Sequence, residues 1–308
     1  MSADILLYYN MTADDNPADD YNFAIMRTSE DGQTDLVRIL LADPRVDPAD
    51  LDNSAIQNAC RNGHVEVVRL LLDDPRVNPT SNHNLAMIQA CSNGHVDVVR
   101  LLLADPRVDP GDADNFSIIR ACSYGHVEIV QLLLADPRVD PGDVDNSAMR
   151  QACSKGSVEI VHLLLADPRV NPGDADNSAI KNACRFGHIE VVRLLLSDPR
   201  VNPVDDFNLT VRRASEDGYI KIFQLLSSDY RVIQKELEIA INNNDIEYAR
   251  NIVNMRHFVR PSQDSIVYSL GNTDTKRQFN DMLYRYVSSR VPNKIRVPGL
   301  RNLIMKFL

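Results

Sequence analysis

Residues 43–73 have the sequence DPRVDPADLDNSAIQNACRNGHVEVVRLLLD, and the tetrapeptide that opens this stretch returns along the chain. Asp-Pro-Arg-Val begins at residues 43, 74, 105, 136, 167 and 198, always 31 residues apart. A degraded copy begins at Asp229, and Asn16-Pro17 stands one period before Asp47-Pro48. Self-similarity at a fixed period of about 20–50 residues predicts a repeat architecture. We count eight repeats over residues 12–254.

Each repeat carries signals for two short helices. Asn53 precedes an Ala/Ile-rich run, and we expect its side chain to cap the first helix. Gly63 follows ten residues later, where a glycine in the left-handed conformation ends a helix. The second helix places four apolar residues on one face: Val65, Val68, Leu71 and Leu72. The proline of the repeat, such as Pro44, then blocks continuation of the helix. One such pair cannot bury its own apolar faces, so the repeats must stack into an all-α solenoid.

Composition narrows the class of protein. The 308 residues include 33 Lys+Arg and 43 Asp+Glu, a net charge of −10. This balance argues against a nucleic-acid binder, which needs a clustered basic surface. No apolar stretch approaches the roughly 18 residues of a membrane span, and the N-terminus lacks the basic region of a signal peptide. We therefore expect neither a membrane nor a nucleic acid as partner.

The charge is unevenly distributed along the chain. Residues 255–308 hold 10 Lys+Arg and 3 Asp+Glu, whereas the remainder is strongly acidic. The repeat also dissolves at residue 255. We expect residues 1–11 to form an N-terminal cap segment and residues 255–308 a basic helical C-terminal cap or degenerate repeat, because a solenoid needs polar ends.

The repeat resembles that of a known family. Gly63-His64 followed by Val-Glu-Val-Val-Arg-Leu-Leu-Leu, with Ala59 four residues before the glycine, is similar to the ankyrin repeat. The resemblance covers about residues 12–254. Two features depart from it: Ser54-Ala55-Ile56-Gln57 replaces Thr-Pro-Leu-His, and the period is 31 residues where about 33 is usual. The Asn cap is expected to substitute for the missing Thr–His hydrogen bond.

The resemblance implies a non-enzymatic scaffold that binds another protein in a concave groove. The Asp-Pro-Arg-Val-Asp-Pro variant resembles ankyrin proteins of giant DNA viruses and of protists. We accordingly expect a cytoplasmic protein, in the host cytoplasm if it is viral. No catalytic motif contradicts a non-enzymatic function.

Cysteine and histidine recur at the repeat spacing. The cysteines follow the fixed alanine: Cys60, Cys91, Cys122, Cys153 and Cys184. Stacked helices lie about 8–10 Å apart, whereas a disulfide needs Cα atoms within about 7 Å, so we expect five buried free thiols in a reducing compartment. The histidines are His64, His95, His126 and His188, interrupted by Ser157. Such ladders cannot converge on one ion. We expect no metal or cofactor, and imidazoles that serve as polar partners at the start of the second helix.

The Asp43/Arg45 pair also recurs in every repeat through Asp229/Arg231. Because its members do not vary, we interpret the pair as structural, with each Arg bound to a carboxylate of its own or a neighbouring repeat.

Variable positions are the candidates for binding. In ankyrin folds the exterior of the first helix, its turn and the loop before it line the groove, and we expect these positions to be exposed. Basic and aromatic residues gather there in the central repeats of an acidic protein, and binding hot spots favour both types. The candidates are Arg120, Tyr124, Arg150, Lys155, Lys181, Arg185, Phe186, Arg212 and Arg213. They predict a partner protein with an acidic, partly apolar surface. From the spacing of the cysteines we also expect a reduced monomer.

One alternative concerns the C-terminal segment. Val291-Pro292-Asn293-Lys294-Ile295 resembles the Leu-Pro-x-Glu-Ile opening of F-box-like modules, with Val for Leu and Lys for Glu. This resemblance implies an adaptor that recruits targets to a ubiquitin ligase.

Overall fold

The computed structural model describes residues 17–203, 219–227, 229, 231 and 232. These residues all belong to the first of two compact units, Met1–Lys235 and Glu236–Leu308. The candidate cap segments 1–11 and 255–308, residues 233–254 of the predicted solenoid, Arg212 and Arg213, and the F-box-like stretch 291–295 lie outside the described residues.

The described part of the chain contains helices and no strand. First helices are α1 (Pro17–Glu30), α3 (Asp50–Asn62), α5 (Ser81–Asn93), α7 (Asp112–Tyr124), α9 (Asp143–Lys155) and α11 (Asp174–Arg185). Second helices are α2 (Thr34–Leu41), α4 (Val65–Asp73), α6 (Val96–Ala104), α8 (Val127–Ala135), α10 (Val158–Ala166), α12 (Ile189–Ser197) and α13 (Ile220–Ser227). First helices pack on first helices and second on second, which confirms an all-α solenoid. None of these helices is long and apolar enough to cross a bilayer.

The helices end where the sequence places the repeated glycine and proline. Gly63 ends α3 with φ +78°, and its N–H donates to the carbonyl of Ala59. The second helix α4 ends where Asp74 becomes extended (φ −84°, ψ 119°), because the following Pro75 disfavours helical backbone. Both boundaries were predicted and are confirmed.

The core is one continuous apolar column along the stack. Each first helix contributes small residues, such as Ala59 and Cys60, that allow close approach of neighbouring helices. The predicted second-helix face packs against the core, but the prediction omitted Val67. Val68 and Leu71 are buried as expected, but Val67 is buried too, and Val65 and Leu72 are half-buried. The fully buried stripe therefore follows the pattern i, i+1, i+4, and Val65 and Leu72 lie at its edge.

The repeated asparagine is a buried clamp between repeats, and the predicted N-cap is wrong. Asn53 stands just before the right-handed helical residues, with φ +64°, but its side chain bonds to the next repeat and not to its own helix. Its side-chain Oδ1 accepts the backbone N–H of Asn78, 25 residues ahead in the next loop, at 2.7 Å. The same bond forms in other repeats, at Asn22, Asn115, Asn146 and Asn177.

The amide nitrogen of this asparagine extends the clamp. Nδ2 of Asn146 donates to the Asp174 carboxylate of the next repeat at 2.7 Å, and Asn115 donates to Asp143 at 2.8 Å. At Asn53, Asn115, Asn146 and Asn177 the backbone makes a short left-handed turn that includes the clamp residue, as at Val144 and Asp145 (φ 49° and 54°). Left-handed backbone costs about 1–2 kcal/mol per residue for residues with a side chain, and Asn tolerates it best. The inter-repeat hydrogen bonds offset this cost.

The Asp/Arg ladder is structural, as predicted. The Arg138 guanidinium pairs with Asp136 of its own repeat at 2.7 Å. Its Nη1 also donates to the carbonyl of Val108 in the preceding repeat at 2.8 Å. The contact between repeats is thus made to backbone carbonyl oxygens, whereas the carboxylate partner lies within the repeat.

We expect Asn146→Ala to lower the free energy of unfolding by about 2–4 kcal/mol, because it breaks two hydrogen bonds and places Ala in left-handed backbone. Urea denaturation measures the change. The control is Gln151→Ala on the same helix, which should stay within about 0.5 kcal/mol. Equal effects of the two variants would contradict the clamp.

Stability should also fall in acid. Hydrogen bonds from the arginine two residues ahead hold the pKa below its usual value at Asp74, Asp105, Asp136, Asp167 and Asp198. A lowered folded-state pKa gives stability that is full above the unfolded value of about 3.9 and lost as the pH falls through the folded value. Thermal melts from pH 6 to pH 2 should show this loss begin below about pH 5. A melting temperature that stays constant to pH 2 would contradict it.

Candidate functional site

The residue before each turn glycine is exposed in every described first helix. We call these residues the turn line: Asp31, Asn62, Asn93, Tyr124, Lys155 and Phe186. The first half is polar or acidic, and the second half is aromatic and basic. A glycine with positive φ follows each of these residues, so the turn line presents a different side chain from a similar turn in each repeat.

An arginine and two aromatic rings form a cluster on α7. The Arg120 guanidinium lies 4.8 Å from the ring centroid of Tyr124 and 5.6 Å from that of Phe116. Its Nη2 donates to the Tyr124 hydroxyl at 2.8 Å, and its Nε donates to the Ser92 hydroxyl at 3.2 Å. These contacts fix the guanidinium while both rings stay over 40% exposed. The cluster is therefore ordered and accessible.

Two further candidates meet at the end of α11. The Arg185 guanidinium lies 5.5 Å from the Phe186 ring centroid. Phe186 is 48% exposed and neighbours the His188 imidazole, with ring centroids 6.4 Å apart. Arg185 is exposed as well. This pair repeats, two repeats later, the arginine–aromatic arrangement of Arg120 with Tyr124.

Lys155 lies on the turn line between these aromatic residues. Its side chain runs beside the turn that follows Tyr124, with Cε 3.5 Å from where a Cβ of Gly125 would lie. Lys155 is exposed. The sequence-predicted candidates Tyr124 and Lys155 therefore lie next to each other across one repeat junction.

The structure corrects the predicted exposure of two candidate residues, Arg150 and Lys181. Arg150 and Lys181 are half-buried, and their equivalents Gln57 and Ile119 are buried. Nη2 of Arg150 folds back onto the Val144 carbonyl at 3.2 Å, and its buried Nε has no partner among the described residues. Side chains at this position turn toward the preceding loop, so they do not project from the surface as the sequence suggested.

Phe116 and Val144 are exposed apolar residues that the sequence reading missed. Phe116 is 41% exposed and Val144 44% exposed. Phe116 stands at the position that holds Phe23, Leu85 and Ser147 in other repeats. Because this position alternates between apolar residues and Ser, the sequence pattern does not mark Phe116 as a site residue. Val144 is not marked either, since its position varies among Leu, Asn, Ala and Val.

Each ladder histidine bonds to the preceding repeat. Nε2 of His64 lies 2.8 Å from the carbonyl oxygen of Glu30, and His95, His126 and His188 repeat this bond 34 residues back. The rings also cover the turn glycine of the preceding repeat. The expectation of a partner at the start of the second helix is wrong, because the imidazole reaches the last turn of the preceding first helix, where carbonyl oxygens are left free.

The cysteines line the core of the first helices. All five are buried and free, as predicted. Burial raises the pKa of the Cys184 thiol to about 12 and raises the pKa of the other four as well. Such thiols are protonated and poor nucleophiles or metal ligands. Among the described residues, no group of three His, Cys, Asp or Glu side chains is placed to hold a metal ion.

Comparison with known proteins agrees with this architecture. A family model described as ankyrin repeats matches residues 25–114, 118–205 and 152–239. Among solved structures, the crystal structure of the human ASB11 ankyrin repeat domain superposes with a TM-score of 0.55 at 20% identity, covering 66% of this chain and 96% of that one. No curated protein matches the sequence.

The family model spans more than half of the chain, over the same residues that carry the glycine turns and paired helices. At this identity the ASB11 domain supports the fold alone. The chain belongs to the ankyrin-repeat family.

Proposed function

We propose that this protein is a non-enzymatic scaffold that binds a partner protein with the aromatic and basic half of its turn line. The site comprises Arg120, Tyr124, Lys155, Arg185 and Phe186, with Phe116 as an added apolar contact. Ankyrin repeats are protein-interaction modules, which supports the general function. The observation that carries the specific proposal is the exposure of Tyr124, Lys155 and Phe186 in consecutive repeats, where the preceding repeats present Asn62 and Asn93. Arg120 is half-buried and lies between the exposed rings of Phe116 and Tyr124.

The proposed partner has an acidic and partly apolar surface. Arginine and aromatic residues contribute most of the binding energy in many interfaces, because they bury a large area and keep directional contacts. Arg120 is already held by Tyr124 and Ser92, so little conformational entropy remains to be lost on binding. Lys155 adds a positive charge between the two aromatic clusters.

The surrounding loops sharpen this charge pattern. Their tips carry exposed carboxylates at Asp114, Asp145 and Asp176. An acidic partner is repelled by the loop tips and attracted by the turn line, and such contrast favours one register over others. The half-buried Arg150 and Lys181 add positive charge behind the site, and Arg212 and Arg213 extend it by one repeat as a sequence prediction.

The proposal describes a monomer in a reducing compartment, the cytoplasm, because five unpaired thiols are usual there. The resemblance of its loops to viral and protist repeats makes a host protein a reasonable partner to test. The ligase-adaptor alternative depends on Val291–Ile295. Replacing Pro292 and Ile295 with alanine in the full chain should abolish ligase capture if that alternative holds, and leave capture of the turn-line partner intact.

We expect the triple variant Tyr124→Ala, Lys155→Glu, Arg185→Glu to lose its partner by at least about 100-fold, or about 2.7 kcal/mol. All three side chains are exposed, so the melting temperature should hold, with each change within about 0.5 kcal/mol. The partner is first captured with the full chain, and both proteins are then titrated by calorimetry.

The matched control is Arg69→Glu, Val158→Ala, Arg193→Glu on the second helices. It changes the net charge by the same amount and removes one exposed apolar side chain of 45% exposure. It should bind as the native protein does. If the control loses binding and the turn-line variant keeps it, the binding face is the second-helix side and the proposal is wrong.

A further inference from the structure

The imidazole contact between repeats leaves little space on the turn glycines. A Cβ atom at Gly94 would lie 2.7 Å from Cε1 of His126, and one at Gly32 would lie 2.5 Å from Nδ1 of His64. The same imidazoles bond to main-chain carbonyl oxygens, as His126 does to Ser92 at 3.0 Å. Each such junction therefore contains a ring that packs on glycine and a hydrogen bond to the end of the preceding helix.

One junction in the described part of the chain lacks this ring. Ser157 stands in the place of the histidine, between the repeat of α7 and that of α9. The nearest atoms to a Cβ at Gly125 would be Ser157 Oγ at 3.3 Å and Lys155 Cε at 3.5 Å. No described side chain donates to the Ser123 carbonyl, which occupies the position of the carbonyls that the histidines bind.

We call this place the Gly125 notch: Ser123, Gly125, Lys155 and Ser157. At the other described junctions a ring lies on the turn glycine, and here that ring is missing. The exposed side chain of Lys155 lies over Gly125 instead. Tyr124 borders the notch on the turn line, with its ring stacked on His126 at 6.3 Å between centroids. The notch therefore opens within the surface proposed to bind a partner.

The equivalent places in other repeats indicate what fits. Four of them hold an imidazole ring that bonds to the carbonyl oxygen two residues before the turn glycine. At Gly187 a phenol takes the same place, with Tyr219 Cε1 2.6 Å from where a Cβ would lie. A planar ring of either kind is thus accommodated on this glycine turn. Around Gly125 the charges of Arg120 and Lys155 favour a carboxylate beside the ring.

We propose that the Gly125 notch receives a histidine or tyrosine side chain of the partner protein, flanked by acidic residues, which fills the place of the missing imidazole. The partner's ring packs on Gly125 and donates a hydrogen bond to the Ser123 carbonyl, while its carboxylates pair with Lys155 and Arg120. This inference rests on the proposed function and names the anchor residue of the partner. An unpaired carbonyl at a helix end is a ready acceptor for it.

The test uses the full chain and four fluorescein-labelled peptides, each with a central His, Tyr, Phe or Ala between pairs of Glu. Fluorescence anisotropy should show the His and Tyr peptides binding about tenfold more tightly than the Phe and Ala peptides, since only the first two donate a hydrogen bond. Equal affinities, or no binding by any of the four, would overturn the inference.

The decisive variant is Ser157→His, which restores the ring found at the other junctions. It should bind the His and Tyr peptides at least tenfold more weakly and melt no lower than the native protein, because the ring occupies the notch and bonds to Ser123. Ser157→Ala, which leaves the notch open, should bind them normally. Undiminished peptide binding by Ser157→His overturns the notch as the anchor site.

The two proposals fail separately. If Ser157→His binds the captured partner as well as the native chain does, while the turn-line triple variant loses it, the partner-binding surface stands and the notch inference is wrong. If neither variant affects capture, both are wrong.

Discussion

A buried asparagine that reaches the next loop holds the stack together. Asn146 accepts the N–H of Asn171 and donates to Asp174, so one side chain fixes both the start and the tip of the following loop. These two bonds join the left-handed turn of one repeat to the loop of the next. Helix pairs that cannot bury their own apolar faces depend on this repeated placement.

Two other contacts between repeats are hydrogen bonds to main-chain carbonyl oxygens. Arg138 and His126 both bond to main-chain carbonyl oxygens of the preceding repeat, the arginine beside the loop and the imidazole at the end of the first helix. Carbonyls at helix ends have no partner within the helix, so each contact satisfies a polar group and orients the neighbour at once. This explains why these residues recur although they face neither core nor solvent alone.

The variable residues separate into those that project and those that fold back. On the turn line, Tyr124, Lys155 and Phe186 extend into solvent from a turn that the glycine fixes. Five residues before the turn-line residue Lys155, Arg150 bends toward the carbonyl of Val144. Among the described junctions, the one without a ring on the turn glycine, at Ser157, lies beside Tyr124 and Lys155. The junction that lacks this ring is thus also one where the exposed side chains differ from those of the preceding repeats.

The sequence alone is enough to predict the 31-residue period, the two helices of each repeat, their glycine and proline ends and the burial of the cysteines. These properties follow from local backbone preferences and from repetition. The contacts between repeats are visible only in the folded stack, where Asn53 bonds 25 residues ahead and His64 bonds 34 residues back. The half-burial of Arg150 is visible only there as well, because its side chain folds back onto the loop of its own repeat. An asparagine that bonds to the next repeat has the same sequence pattern as one that caps its own helix.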